Sequence, residues 1–217
     1  MQKVFELDHP LVHHHLTHLR SKETTPHIFR AQVRRLAALL AAEATRDLPL
    51  KPKTIETPLT KMEGAVLDVR IGLVPILRAG LGMTDAVLEL IPTAEVWHLG
   101  FYRDEETLQP VEYYRKFSAN PPDLVFVLDP MLATGGSAAA GIQMVKDWGA
   151  KEIRMISIIA APEGIAAVRK AHPDVNIYVC KIDDGLNDSA YILPGLGDAG
   201  DRIFNTIPNI GTGAAGL

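Results

Sequence analysis

The chain has 217 residues, of which 47% are hydrophobic and 22% charged, and this is the composition of an ordinary globular protein with one sizeable core. A formal net charge of -4 disfavours a surface built to neutralise a nucleic-acid backbone. No apolar run approaches the roughly 18 residues of a membrane span, and the first residues lack the apolar segment of a secretory signal. We therefore expect a cytoplasmic protein that has neither nucleic acid nor a membrane as a partner.

Helical periodicity marks the N-terminal part of the chain. Apolar residues recur at helical spacing over residues 25–44, with arginines between them, which predicts an amphipathic helix. The Pro-marked stretch 48–63 has no clear period and predicts irregular structure or a hairpin. His14 and His18 are spaced i, i+4 as metal ligands can be, but the exposed face of a helix is the favoured interpretation. The single cysteine, Cys180, lies in an apolar run and is expected to be buried.

From residue 70 onward, short apolar runs alternate with helix-like segments. The runs are RIGLVPI, AEVWHLG, DLVFVLD, EIRMISIIA and VNIYVC, and helical segments are predicted at 83–90, 137–148 and 163–171. Strands that are apolar throughout are typical of a parallel sheet covered on both faces. The predicted fold class is α/β, with a doubly wound, mainly parallel sheet and helices on both faces, in one domain over residues 1–217 that ends in a flexible Gly-rich tail from about residue 208.

Two details of this pattern carry separate predictions. Pro75 is unusual within a central strand and predicts that the first run ends there. The charged, aromatic segment 101–117, FYRDEETLQPVEYYRKF, lies between two strand candidates without a helical stripe. It predicts a long active-site loop or flap.

The most informative segment is LVFVLDPMLATGGS, in which an apolar strand ends in Asp129 and a loop of small residues opens a helix. Thr134, Gly135, Gly136 and Ser137 would offer backbone N–H groups and two hydroxyls at the positive end of that helix, which suits a phosphate monoester. Asp129 could accept hydrogen bonds from a sugar's hydroxyl pair or hold Mg²⁺ through water. The alternative is a plain strand-to-helix turn.

This string resembles the signature with which type I phosphoribosyltransferases bind phosphoribosyl diphosphate (PRPP). The form DPMLATGGS, with one acid followed by Pro130, is similar to the uracil phosphoribosyltransferases, and the resemblance runs from about residue 9 to 204. It implies that PRPP's ribose and 5′-phosphate are bound by Asp129, Pro130, Met131, Leu132, Ala133, Thr134, Gly135, Gly136 and Ser137.

The resemblance assigns the pyrophosphate group to two arginines. Arg78, in GLVPILRAGLGM, has a planar guanidinium that can donate two charge-assisted hydrogen bonds to phosphate oxygens. Arg103, in the flap segment, is implied to neutralise the leaving pyrophosphate. A solvated surface charge is the alternative for each.

The third motif, YILPGLGDAGDRIF, formally contains the dinucleotide fingerprint G-x-G-x-x-G. We reject that match because the chain ends 17 residues later, without the βαβ unit and distant acid that the fingerprint needs. The segment resembles the family's uracil-binding loop, in which backbone groups near Ile192, Gly197 and Ala199 read the base. The resemblance places Asp198 beside PRPP, and Asp198 is also a candidate acceptor of the uracil N1 proton.

The resemblance implies transfer of uracil to PRPP, giving UMP and pyrophosphate with Mg²⁺ as cofactor and no covalent intermediate, and Arg78, Arg103, Asp129 and Asp198 as the catalytic residues. It also implies a homodimer or higher oligomer and a possible GTP effector. The alternatives are the same fold with orotate or a purine as base, a silent regulator that binds RNA, and a nicotinamide-dependent dehydrogenase.

Overall fold

A parallel sheet forms the centre of the protein in a computed structural model, which describes residues 3–103, 110–115 and 117–206. The helices and strands in chain order are β1 (Val4–Glu6), α1 (Pro10–Arg20), α2 (Pro26–Glu43), β2 (Leu50–Glu56), β3 (Lys61–Leu67), β4 (Ile71–Leu77), α3 (Leu81–Leu90), β5 (Glu95–Val96), β6 (Leu99–Arg103), β7 (Pro110–Arg115), β8 (Leu124–Leu128), β9 (Met131–Leu132), α4 (Gly136–Trp148), β10 (Glu152–Ala160), α5 (Pro162–Ala171), β11 (Asn176–Ile182), β12 (Gly185–Leu186), β13 (Ile192–Leu193) and α6 (Ala199–Phe204).

The strand order is β1-β11-β10-β8-β4-β6-β7, with the short β5 beside β4 and the short β9 beside β10. Within this sheet the pairs are parallel except for β6 with β7. The side chains of β8 show why its sequence is apolar throughout. Phe126 packs into the core beneath α1, α2 and α3, whereas Val125 and Val127 pack beneath α4 and α5. The predicted doubly wound architecture is confirmed.

The predicted N-terminal helix is confirmed as α2, which begins at Pro26, a residue whose fixed φ suits a first helical position. Within its apolar stripe, Phe29, Val33 and Leu36 are fully buried, whereas Ile28 is exposed. His14 and His18 lie on the exposed side of α1, as expected, with ring centroids 4.8 Å apart. Cys180 is a buried free thiol in β11.

The prediction that Pro75 ends its strand is wrong, because β4 continues to Leu77. The carbonyl of Leu73 accepts a hydrogen bond from Trp97 N–H at 2.8 Å, so this edge of β4 faces β5 and β6. In a strand, the backbone polar groups of every second residue point to the same edge. The backbone nitrogen of Pro75 therefore faces the same edge as the Leu73 carbonyl, at the gap between β5 and β6. A missing backbone donor costs least at such a break.

The stretch after α2 is the predicted hairpin: β2 and β3 pair antiparallel from Leu50 with Leu67 to Glu56 with Lys61. The flap segment differs from a plain loop, because β6 and β7 pair antiparallel up to Arg103 with Pro110. Its residues 104–109 and 116 lie outside the described residues, as does the predicted tail. None of the helices in the described ranges has the length and apolar character that crossing a membrane requires.

Candidate active site at the switch point of the sheet

The site begins where β4 and β8 end side by side, with Pro75 in register with Leu128. The chain leaves β4 through α3, which packs on one face of the sheet, and leaves β8 through α4, which packs on the other. In doubly wound sheets a ligand crevice opens at such a point, because the two connections diverge. Arg78 and Asp129, which directly follow these strands, are therefore brought to one crevice.

A cavity of about 230 Å³ occupies this crevice and joins three motifs that are far apart in sequence. Its lining includes Arg78 after β4, Asp129 and Ser137 around β8 and α4, and Asp198 and Gly200 at the start of α6. A second cavity of about 100 Å³ adjoins it and is lined by Asp129 and residues 131–138. Two larger cavities, of about 640 and 670 Å³, lie elsewhere and hold none of these residues. Convergence of polar groups, rather than size, identifies the candidate site.

The carboxyl group of Asp129 is in an unusual electrostatic environment. The pKa of this group is raised from the ordinary 3.8 to about 7, chiefly because burial disfavours the charged form; the negative charge of Asp198 also raises it, and a hydrogen bond from Met131 N–H opposes both effects. That N–H donates to Asp129 Oδ1 at 3.2 Å. A carboxyl group that is uncharged for part of the time near neutral pH gains most from a ligand that brings hydroxyl donors or a cation.

The loop after Asp129 is fixed to the neighbouring strand β10 by its backbone. The carbonyl of Pro130 accepts hydrogen bonds from the N–H groups of Ile158 and Ile159, each at 3.1 Å. The carbonyl of Leu132 accepts from Ala161 N–H at 2.9 Å. Pro130 and Leu132 are thus structural anchors of the loop, and their own side chains are buried.

The glycine before α4 is required by space as well as by conformation. Gly135 has φ of 81°, and a Cβ atom there would lie 2.8 Å from the carbonyl oxygen of Gly164 in α5. α5 therefore packs directly against the loop. The N–H groups in the first turn of a helix have no partners within the helix, so Gly136 and Ser137 at the start of α4 can offer theirs to an anion.

Arg78 reaches from the end of β4 to α6. Its Nη2 donates to Asp201 Oδ1 at 3.0 Å and its Nη1 to Thr206 Oγ1 at 3.4 Å, and its guanidinium lies 5.9 Å from the Phe204 ring centroid. About half of the side chain is exposed, so this ion pair contributes little stability. A ligand with more negative charge than one carboxylate can therefore compete for Arg78.

In the predicted base-binding segment, Ile192 and Ala199 are buried in the core. Gly197 is exposed and has φ of 78°. Asp198 caps α6, accepting a hydrogen bond from Asp201 N–H at 2.8 Å. Among these four residues, Asp198 alone lines the cavity with Asp129. The side chain of Arg103 lies outside the described residues, so its predicted role stays a prediction.

Sequence reasoning missed the residues that hold this segment in place. Asp201 could have been noticed, because D-x-x-D is the spacing of an N-cap and a first-turn acid. The ion pair of Arg20 with Asp183, which bonds the backbone of Gly195, joins residues 163 positions apart. No local sequence pattern predicts a contact between residues so far apart.

The fold and the site have the features expected of a class of proteins that bind a phosphorylated sugar at the switch point of a doubly wound sheet. Comparison with known proteins narrows the class. The family model described as uracil phosphoribosyltransferase matches residues 6–206. Proteins named uracil phosphoribosyltransferase from Roseiflexus castenholzii and from a Geobacillus species are 58% and 54% identical, over 95% of this chain and 100% of theirs.

Solved structures agree with the fold. The AQ2163 protein from Aquifex aeolicus superposes with a TM-score of 0.88 at 36% identity, covering 93% of this chain and 97% of that one. An adenine phosphoribosyltransferase from Trypanosoma brucei, solved with AMP, pyrophosphate and ribose-5-phosphate, gives a TM-score of 0.55 at 14% identity, covering 91% and 89%. The chain belongs to the uracil phosphoribosyltransferase family.

Proposed function

We propose that this protein joins N1 of uracil to C1 of the ribose of PRPP, forming UMP and releasing pyrophosphate. The observation that carries the proposal is the convergence of Arg78, Asp129, Ser137 and Asp198 on one cavity at the switch point. The cavity is lined by residues of three separate sequence motifs, each of which is predicted to bind a different part of PRPP or its acceptor. The family membership of the chain supports uracil as the base.

In this proposal the protein works by positioning and by charge. The first turn of α4 binds the 5′-phosphate, Asp129 accepts hydrogen bonds from the ribose hydroxyls, and Arg78 binds the pyrophosphate. The bond from C1 to the pyrophosphate oxygen breaks as the bond from C1 to N1 forms, so negative charge develops near Arg78, where a fixed guanidinium stabilises it. Arg103 is the proposed source of a second positive charge for the pyrophosphate.

Mg²⁺ is the proposed cofactor, and the residues present fit it. Two carboxylates, Asp129 and Asp198, line one cavity, and the repulsion between them is part of what raises the pKa of Asp129. Hard oxygen donors of this kind suit Mg²⁺, which would offset that repulsion and supply charge for the departing pyrophosphate. Within the described residues no three metal-binding side chains come together, so the ion would depend on oxygens of PRPP and water.

The base would be read by backbone rather than by side chains. Main-chain groups near Ile192, Gly197 and Ala199 can match the alternating acceptors and donor of uracil, whereas cytosine presents the wrong partner at one position. Asp198 lies beside this segment and is the proposed acceptor of the N1 proton. An Asp198→Asn variant whose turnover keeps the same pH dependence would exclude that role.

A homo-oligomer is the proposed assembly, and the β2–β3 hairpin supports it. The hairpin pairs only with itself among the described strands and exposes several large apolar side chains: Leu50, Ile55, Leu59, Met62 and Leu67. A two-stranded hairpin is marginally stable alone in water, so a second copy of the chain is the partner we propose for it. Sedimentation of the intact protein tests this assembly.

GTP is the proposed effector, and the cytoplasm the proposed compartment. The 640 Å³ cavity between α2, α3 and α6 is lined by Arg30, Arg34 and Arg35, which suit an anionic effector, and by Asp85 and Glu89, of which Glu89 pairs with Arg34. An effector there would bind chiefly to Arg30 and Arg35. Titration of the initial rate with GTP at fixed PRPP tests the effector.

Product formation tests the reaction itself. Purified protein is incubated with PRPP, Mg²⁺ and each of uracil, cytosine, orotate, adenine and hypoxanthine. We expect UMP from uracil alone, and loss of that product in Asp129→Asn and Arg78→Ala. Asp174→Asn, an exposed acid paired with Lys146, is the matched control and should retain full activity. Product from another base overturns the choice of uracil, and the absence of any product overturns the reaction.

A further inference from the structure

The segment that carries the proposed base-reading groups is held by a buried ion pair that the reaction itself does not use. Arg20, the last residue of α1, donates from Nη2 to Asp183 Oδ1 at 2.6 Å and from Nη1 to Asp183 Oδ2 at 2.8 Å. Only 2% of the Asp183 side chain and 22% of the Arg20 side chain are exposed. Bidentate geometry with both charges satisfied makes such a pair directional as well as strong.

Both partners also bind the same backbone residue. Arg20 Nη1 donates to the Gly195 carbonyl at 2.7 Å, and Gly195 N–H donates to Asp183 Oδ2 at 3.1 Å. The ion pair thereby occupies both polar backbone groups of Gly195. Gly195 has φ of 62°, and a Cβ atom there would lie 2.0 Å from the carbonyl oxygen of Ile192, so the turn is tight.

Neighbouring contacts extend the same attachment along the chain. Asp184 N–H donates to the Leu193 carbonyl at 2.9 Å, and Arg202 Nη1 donates to the Leu196 carbonyl at 2.7 Å. Arg202 also donates from Nη2 to the carbonyl of Ser21, directly after α1, at 2.6 Å. The end of α1 is therefore bound to the segment in two ways: directly by Arg20, and through Arg202 of α6, which binds the Ser21 carbonyl.

We infer that Arg20 and Asp183 are positioning residues for base recognition, which set the backbone of residues 192–199 so that it accepts uracil and rejects cytosine. This inference rests on the proposed function. Neither residue lines the cavity that holds Arg78 and Asp129. Their loss should therefore weaken uracil recognition and leave the PRPP side of the site intact.

Kinetics with each substrate varied separately test the inference. In Arg20→Lys and Asp183→Asn, we expect KM for uracil to rise about tenfold or more, the cost of losing one hydrogen bond to a charged group. KM for PRPP should change less than about twofold, and the preference for uracil over cytosine should fall. Glu6→Gln is the matched control, because it breaks the exposed pair with Lys181 nearby and should change neither constant. A merely structural role would lower kcat with the amount of folded protein and leave KM for uracil unchanged, and that result overturns the inference.

Hydrogen exchange read by mass spectrometry tests the attachment independently of activity. In Arg20→Lys, amide protection should fall about tenfold or more in a peptide spanning 192–199 and stay unchanged in one spanning β10. Unchanged protection at 192–199 refutes the attachment even where the kinetics agree. A wild-type protein that forms no UMP refutes the proposed function and the recognition role with it, while the exchange result still decides whether Arg20 and Asp183 hold the segment.

Discussion

Asp129→Asn should make the protein more stable at alkaline pH while it abolishes activity. Burial raises the pKa of Asp129 from 3.8 to about 7, so the folded protein binds a proton there that the unfolded chain has already lost at intermediate pH. Stability contributed by that proton is fully present below pH 3.8 and is lost as the pH rises to about 7. Asparagine is uncharged at every pH and can still accept the hydrogen bond from Met131 N–H.

The magnitude follows from the width of this interval. The pKa interval from 3.8 to about 7, at about 1.36 kcal/mol per pH unit, sets an upper limit of ~4 kcal/mol on the stability that Asp129→Asn can gain. The carboxyl group lines an open cavity, and water that enters it screens the charge, so we expect a gain of about 1–2 kcal/mol.

Urea denaturation of both proteins at several values between pH 5 and 8.5 measures this difference. The free energy of unfolding of the variant, minus that of wild type, should grow with pH up to about 7 and then stay level. Asp174→Asn, at an exposed position, should show no such growth, because its partner Lys146 holds the pKa of Asp174 below its ordinary value. A difference for Asp129→Asn that is flat or shrinks as pH rises refutes the reasoning.

Three further predictions concern the loops and the core. Arg78→Ala should lower kcat/KM for PRPP by at least about 100-fold, the usual cost of one charged donor to a transition state, and leave the melting temperature nearly unchanged; steady-state kinetics and a thermal melt check this, and a loss below tenfold contradicts it. Gly135→Ala should destabilise the protein more than Gly149→Ala in urea titrations: both glycines have positive φ, but a Cβ atom at 135 lies 2.8 Å from the Gly164 carbonyl oxygen whereas the nearest atom at 149 is 3.5 Å away, and equal losses would contradict the steric argument. Burial raises the pKa of the Cys180 thiol, so a thiol reagent at pH 8 should label it only after unfolding; rapid labelling of the native protein would contradict this.

The order of the helices and strands could be predicted because each of them follows from a local sequence pattern. Fully apolar runs such as LVFVL follow from burial on both faces of the sheet, and Phe126 and Val127 show those two faces directly. The loop from Asp129 to Ser137 could be predicted for the same reason, since a strand end, a glycine turn and a helix start are all local. Pro75 misled the prediction because its effect depends on which neighbour its missing donor faces, and pairing with β5 and β6 decides that.

The sequence by itself determined which chemical groups the protein possesses: an acid at a strand end, a guanidinium after another strand, and a glycine loop before a helix. Tertiary structure alone decided that these groups share one cavity, because strand order in the sheet sets which strand ends are neighbours. It also decided the pKa of Asp129, which depends on burial and on Asp198, 69 residues away by the difference of their numbers. The attachment of Gly195 by Arg20 and Asp183 is of the same kind, since a hydrogen bond between distant residues exists only once the fold has brought them together.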